Sequence, residues 1–370
     1  MRLNQLERPP CVLFVAAMGG LGGPVRRLAT LLSRLDDVER VLVKPRSPLL
    51  DHQLLGAKSV DEYRPLKRSA QRNRLGAIFI AVAIFRRALS RRRPVDVIHA
   101  NGLVEFALCW PAAALLRKPV VTWVGNYESP TLVKRFHKIF LPVARRTSWN
   151  AVSSFAAEVV AESGLARRDE VKIVTNIIDP VDVGARSRKL DDGNETERIV
   201  RVGYLQVARW EKGFDLLAPI FEQLVDLEGR VRLQIYGSHN DQPGWDELER
   251  LPDKLVQLRP RTATVGDIYQ ECDIILSPSR RESFNRVVAE ALTTGTPVVA
   301  TDLAPVREVV GDCGLLFPSE DVVTAAAHIR RLVEDAVLLK ELGTRGRARA
   351  IRWSPEPVAA EFRRQYGSAV

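Results

Sequence analysis

The chain has 370 residues, 46% hydrophobic and 27% charged, with a mean hydropathy of −0.09, which excludes a disordered or fibrous protein and makes two hydrophobic cores the expectation. Lys and Arg number 55 against 45 Asp and Glu, a net charge of +10, so an anionic partner is expected: nucleic acid, a phosphorylated small molecule or a membrane surface. No apolar run is long enough to span a bilayer and no cleavable apolar leader opens the chain; the four cysteines (Cys11, Cys109, Cys272, Cys313) stand far apart without a CxxC pair, so a cytoplasmic globular protein with buried thiols is expected.

Short β-branched runs alternate with longer helical patterns along the chain. In the first half, strands are predicted at Val12–Ala16, Val41–Val43, Val95–His99, Val120–Val124 and Val171–Val174, with helices over 24–35, 76–90, 104–117, 131–145 and 154–163. The second half repeats the rhythm, with strands near 199–204, 231–236, 255–258, 273–277 and 297–300 and helices near 213–226, 284–294 and 320–350. Continuous apolar strands separated by helices imply parallel sheets covered on both faces. Asp179–Arg198, with Pro180, Gly184 and the polar stretch Asp191–Glu197, reads as a linker. The expectation is an α/β chain of two doubly wound, Rossmann-like domains facing across a cleft, over 1–180 and 199–353 with 181–198 between them, ligands sitting at the carboxyl ends of the strands.

The segment SRRESFNRVVAEALTTGTPVV, Ser279–Val299, carries the most chemistry. An apolar strand runs into Ser277-Pro278-Ser279, and a helix is predicted to begin near Ser283, leaving free backbone N–H groups that attract phosphate. Glu282 precedes this helix and Glu290 lies eight residues on, about 12 Å along a helix axis at 1.5 Å per residue. That is too far for an acid/base pair on one bond. It suits two carboxylates gripping hydroxyls at opposite ends of an extended ligand with a phosphate between them; the plain alternative is two solvated surface glutamates.

Glu282-x7-Glu290 followed by Ala291–Thr301 resembles the donor-binding signature of the GT-B-fold retaining glycosyltransferases of family four. Six further stretches lie in the order that family has them: Gly19-Gly20-Leu21-Gly22-Gly23; Val97–Gly102 with its strand-end His99; Asn150–Ser153 and Val174–Asp179 at the end of the first domain; Lys212-Gly213-Phe214-Asp215; and Arg307-Glu308-Val309-Val310. The resemblance implies that Glu290 holds the ribose of a nucleotide sugar. Glu282, with backbone groups of Ser283, Phe284 and Asn285, would hold the transferred sugar, and the N–H groups near Arg286 and Val287 would face the diphosphate. Lys212 would neutralise that diphosphate as it leaves, with Arg209 as a second cation, and the loop of Gly22 and Gly23 would close over the donor. It also implies a terminal helix over 354–370 packed on the first domain. Three departures stand out: Gly203 is followed by Tyr204 where the family has arginine, Ile177 replaces a glycine, and Ala304-Pro305 replaces a Gly-Gly pair.

Other features keep two readings each. The glycine loop before the helix at 24–35 either approaches a ligand or is only a tight turn. His99 at a strand end either touches acceptor or sugar from the cleft, or packs. From Arg64 to Arg93 ten basic residues occur with no acidic one, around an apolar block at Ala77–Phe85. This segment either lies on an anionic membrane or covers the core as an ordinary helix. No DxD sequence and no ligand-spaced His/Cys/Asp/Glu set occurs, so neither metal nor other cofactor is expected. The leading expectation is a retaining, metal-independent glycosyltransferase moving a sugar from a UDP-, GDP- or ADP-sugar donor to a lipid-linked or cell-surface glycan acceptor, cytoplasmic or peripheral on the inner membrane face. Arg259 and Arg261 are candidate loop contacts. A GT-B-fold epimerase or a glycogen-type phosphorylase is the second enzyme class, although no placed lysine for pyridoxal phosphate stands out. Nucleic-acid binding is suggested by charge alone, and the aromatic residues do not interleave with the basic segment as a stacking platform requires.

Overall fold

A computed structural model describes residues 8–15, 23–45, 59–63, 74–90, 94–125, 131–180, 198–237, 243–259 and 265–370. The glycine loop at 16–22, segments 64–73 and 91–93 of the basic stretch, the linker at 181–197 and Arg261 lie outside the described residues. Two compact units form: Met1–Ile177 together with Pro355–Val370, and Ile178–Ser354.

In the first unit, β1 (Cys11–Val15), β2 (Glu39–Pro45), β3 (Ser59–Tyr63), β4 (Val97–Ala100), β5 (Val120–Thr122) and β6 (Thr147–Ser148) make a parallel sheet in the order β3-β2-β1-β4-β5-β6. Register is set by pairs such as Val12 with Arg40 and with Val97. All of β1 and β4 is buried, which is why these runs are apolar without alternation. The helices are α1 (Gly23–Leu32), α2 (Arg74–Ala88), α3 (Leu103–Leu115), α4 (Thr131–Ala144) and α5 (Ser154–Glu162); α2 packs on α3, and α3 on α4. A small ribbon joins β7 (Asn150–Ala151) and β8 (Lys172–Ile173). The terminal helix Pro355–Ala369 packs against α1 and is tied down by a reciprocal amide pair, Gln365 with Asn150, at 2.9 Å each way.

The second unit repeats the plan with β9 (Val200–Tyr204), β10 (Val231–Tyr236), β11 (Val256–Arg259), β12 (Ile274–Ser277), β13 (Val298–Thr301) and β14 (Gly314–Phe317), all parallel, in the order β11-β10-β9-β12-β13-β14. Its helices are α6 (Leu217–Glu222), α7 (Trp245–Glu249), α8 (Val265–Glu271), α9 (Arg286–Thr294), α10 (Ala304–Val310), α11 (Val322–Glu334) and α12 (Ala336–Ala350). In both sheets the winding reverses after the third strand, between β1 and β4 and between β9 and β12. A doubly wound sheet opens its ligand crevice at the carboxyl ends of such a pair.

The structure differs from the sequence expectations at several places, each with a local cause. The helix expected over 213–226 is broken into 3-10 turns at Phe214–Leu216 and Val225–Leu227 around a six-residue α6. Pro219 in its first turn lacks the N–H that would bond the Asp215 carbonyl, which interrupts an α ladder starting at 213. The helix expected over 320–350 is two, because Asp335 leaves the helical region (φ −118°, ψ 85°) and caps α12 by accepting from the Leu338 N–H at 2.8 Å. β3 and β14 are not among the expected strands: both are short edge strands, and β3 (SVDEY) is mostly polar. The strand expected at Val171–Val174 shrinks to two residues.

Helix α9 is fixed from below by α12. A Cβ on Gly343 would stand 2.4 Å from the Gly295 carbonyl oxygen, so only glycine lets the two helices approach this closely. Arg347 of α12 donates to the Thr294 carbonyl at 3.1 and 3.2 Å, satisfying the carboxyl end of α9.

Candidate active site

Two loops leave the carboxyl ends of β9 and β12, the pair at the switch point of the second sheet. The first runs from Leu205 to Gly213 and carries Lys212; the second runs from Pro278 to Asn285 and carries Glu282. Gly213 takes the left-handed conformation (φ +66°), and a Cβ there would lie 2.0 Å from the Pro278 carbonyl oxygen. The loops therefore touch through a glycine, backbone to backbone.

That contact sets Lys212 against Glu282: Nζ to Oε1 is 2.6 Å, with the lysine side chain 31% and the glutamate 10% exposed. The Ser279 hydroxyl (3.0 Å) and the Gln206 amide (3.3 Å) donate to the same oxygen. Gln206 is itself buried and held by Ser277 and Ser279. Three donors on Oε1 fix the carboxylate plane and leave Oε2 without a partner among the described residues. The lysine likewise has two N–H groups without a partner there. The pair can thus offer an acceptor oxygen to a hydroxyl and an ammonium to an anion side by side.

Helix α9 begins at Arg286, later than the sequence suggested, because Asn285 adopts φ +69° and serves as N-cap, its side-chain oxygen accepting from the Val288 N–H at 3.2 Å. Asparagine tolerates this conformation, and its amide also donates to the Ser277 hydroxyl at 2.7 Å. Glu282 therefore stands on the loop and Glu290 on the helix, so the two are not separated by eight helical rises. The N–H groups of Arg286 and Val287 open the first turn. Ser283 is buried, and Phe284 packs edge-on against Trp353 with ring centroids 6.1 Å apart.

Glu290 is only 4% exposed, with both oxygens engaged: the Tyr269 hydroxyl donates to Oε2 at 2.7 Å and Arg286 Nε to Oε1 at 2.6 Å. Neither carboxylate is the solvated surface glutamate of the plain alternative. A buried carboxylate held in a fixed plane can accept two neighbouring hydroxyls.

Residues 196–335 match the family of glycosyl transferases group 1. The chain is 34% identical over 305 residues to the MMP alpha-(1->4)-mannosyltransferase of Mycolicibacterium hassiacum, covering 76% of this chain and 72% of that one. It is 27% identical over 368 residues to the phosphatidyl-myo-inositol mannosyltransferase of Mycolicibacterium smegmatis, covering 94% of this chain and 90% of that one. The chain belongs to the group 1 glycosyltransferases. It spans 58% of the length of the sulfoquinovosyl transferase SQD2 of Arabidopsis thaliana, with 24% identity over 76% of this chain. Among solved structures, Anabaena HepE in complex with UDP superposes with a TM-score of 0.77 at 19% identity, over 97% of this chain and all of that one, which identifies the fold as GT-B.

In this group 1 glycosyltransferase, Tyr204 follows Gly203 at the end of β9. It is fully buried, and its hydroxyl reaches the carbonyls of Val207 (3.3 Å) and Lys212 (3.4 Å). Burial, with the charges of Asp215 and Glu282, holds the phenol well above its usual range, so it braces the lysine loop as a neutral donor. Arg209 is exposed; its carbonyl accepts from the Lys212 and Phe214 N–H groups, while its guanidinium has no partner among the described residues. The structure does not join Arg209 to the Lys212–Glu282 cluster.

His99 and Gly23 belong to the first unit. Gly23 opens α1; Gly22 lies outside the described residues. The placement of His99 is a correction to the cleft-facing expectation. Its ring is fully buried between Phe14 and Phe362, with centroids 5.2 Å away on each side, and its Nδ1 lies 2.8 Å from the Tyr366 hydroxyl of the terminal helix. Burial, then the charge of Arg27, pushes its pKa down to about 3, so it is neutral at physiological pH. Packing by a helix more than 260 residues away in sequence turned it inward.

Gln206, Tyr269 and Arg280 carry no site signal in the sequence, and Ser277 and Ser279 read there only as the end of a strand. Polar residues closing an apolar strand, as at Ser277, are a legible signal; the Tyr269–Glu290 pairing has none, because α8 and α9 meet only in the fold. Among the described residues no group of three His, Cys, Asp or Glu could hold a metal ion, and the four cysteines are free and buried.

Proposed function

We propose that this chain transfers a sugar, with retention, from a nucleoside-diphosphate sugar to an acceptor hydroxyl, without a divalent ion. The observation that carries the reading is the Lys212–Glu282 pair beside the doubly held Glu290 at the switch point. Glu290 takes the ribose hydroxyls. Glu282 Oε2 takes a hydroxyl of the transferred sugar, together with backbone groups of Ser283, Phe284 and Asn285. Lys212 and the first N–H groups of α9 face the diphosphate. The bond from the anomeric carbon to the diphosphate oxygen breaks with its electron pair going to that oxygen, where Lys212 stabilises the growing charge. The acceptor oxygen bonds the same face of the sugar, and its proton passes to the departing phosphate. The UDP complex of HepE supports a uridine nucleotide as donor.

The acceptor we propose is a lipid-linked or cell-surface glycan precursor, met at the cytoplasmic face of the membrane through the basic segment 64–93. The name of the M. smegmatis relative supports a lipid acceptor. In α2 and the residue after it, Val82 (49%) and Leu89 (56%) are exposed beside the exposed Arg86, as interfacial contact needs. No described helix is long and apolar enough to cross a membrane.

Thermal-shift binding of UDP, GDP and ADP, with and without their sugars, tests the reading. One nucleotide should raise the melting temperature of the native protein by mass action and lose that effect in Glu290→Ala. If none does at millimolar concentration, the donor site is wrong.

A further inference from the structure

Arg280 lies two residues before Glu282, where an arginine beside a donor site suggests phosphate binding. Its hydrogen bonds say otherwise. Its side chain is 8% exposed, and all five guanidinium N–H groups are committed. NH1 donates to the Trp210 carbonyl (2.6 Å) and to Asp215 Oδ1 (2.7 Å), NH2 to Asp215 Oδ2 (2.8 Å) and to Glu320 Oε2 (2.9 Å), and Nε to Glu320 Oε1. The guanidinium also lies over the Trp210 ring, 4.7 Å from its centroid, and the Arg280 backbone N–H donates to the Glu211 carbonyl at 3.0 Å. No donor remains for a substrate.

The partners show what the residue does. Trp210 and Glu211 are the two residues before Lys212, Asp215 follows three after it, and Glu320 comes from the loop after β14. Arg280 thus pins the lysine loop from both ends to the loop that carries Glu282. Glu320 is held at φ +67°, which a non-glycine residue adopts at a cost the two-carboxylate clamp offsets. We infer that Arg280 is a positioning residue that sets Lys212 against Glu282 and, resting on the function proposed above, against the donor diphosphate. A planar guanidinium can span both carboxylates and the carbonyl at once; lysine cannot.

Two measurements on Arg280→Gln and Arg280→Lys test this. The first needs no nucleotide: acetic anhydride labelling of the lysines, read by mass spectrometry. Lys212 should label at least about fivefold faster in both variants as its ion pair loosens, while the exposed Lys254 and Lys340 keep their wild-type rates. Unchanged labelling of Lys212 overturns the inference. The second is the affinity for UDP, GDP and ADP and for their nucleosides. Whichever diphosphate the wild type binds should bind about tenfold more weakly in Arg280→Gln, with its nucleoside changed less than twofold. Lys212→Gln should lose as much, and the double variant no more than Lys212→Gln alone. Additive losses, or equal losses for nucleoside and diphosphate, overturn it. If the wild type binds none of them, the proposed function fails and the labelling still decides the clamp. Should Arg280→Gln not fold, Glu320→Gln removes one jaw from an exposed position and should give a smaller rise in Lys212 labelling.

Discussion

Substituting Gly213 by alanine separates two costs that the structure allows to be added. Alanine in the left-handed region costs about 1–2 kcal/mol. Its Cβ would also stand 2.0 Å from the Pro278 carbonyl oxygen, where ordinary contact begins at 3.4 Å, so the two loops must part by more than 1 Å. That movement strains the Arg280 N–H bond to Glu211 and the Lys212–Glu282 pair, adding about 2 kcal/mol if each loses about 1 kcal/mol. Gly229 supplies an internal control, since it too has a positive φ (+87°) but nothing within 4 Å of a built Cβ. Thermal unfolding followed by circular dichroism should show Gly229→Ala melting about 2–8 °C below wild type, at 2–4 °C per kcal/mol, and Gly213→Ala about 6–16 °C below. In a parallel titration Gly213→Ala should lose most of its nucleoside-diphosphate affinity while Gly229→Ala keeps it. Equal melting shifts in the two variants would falsify the claim that backbone contact between the loops sets the lysine.

Tyr269→Phe removes one buried hydrogen bond to a carboxylate, worth about 1.5 kcal/mol, so nucleoside-diphosphate affinity should fall roughly tenfold. The preference for ribose over 2′-deoxyribose should shrink with it; an unchanged preference, measured by competition, would show that Tyr269 does not orient Glu290. His99 predicts a pH dependence of stability. Its folded pKa, about 3, lies below the unfolded value near 6.5, so the native state binds fewer protons in between. Its contribution is present above pH 6.5 and lost as pH falls toward 3, with a slope of up to about 1.4 kcal/mol per pH unit. Urea unfolding at pH 7, 5.5 and 4.5 should give a flatter acid limb for His99→Leu than for wild type; identical slopes would mean that the imidazole is not buried neutral.

What the sequence determined by itself follows from local rules. Apolar runs such as CVLFV at Cys11–Val15 and VVAT at Val298–Thr301 had to be strands buried on both faces, and the helices between them made the sheets parallel, so the doubly wound architecture was legible. So was the motif around Glu282 and Glu290, because carboxylates at fixed spacing after a strand can be read one residue at a time. Tertiary structure decided the rest, wherever a residue's role depends on partners distant in the chain. Edge strands such as Ser59–Tyr63 carry little apolar signal, since only their neighbours make them strands. His99 reads as a strand-end candidate for the cleft until the terminal helix brings Phe362 and Tyr366 around it. Arg209, with its lone exposed guanidinium, looked like the second cation. Arg280, one more arginine in SRRES, became the clamp because Asp215, Glu320 and the Trp210 carbonyl converge on it, and five directional donors can be satisfied only where the fold assembles five acceptors.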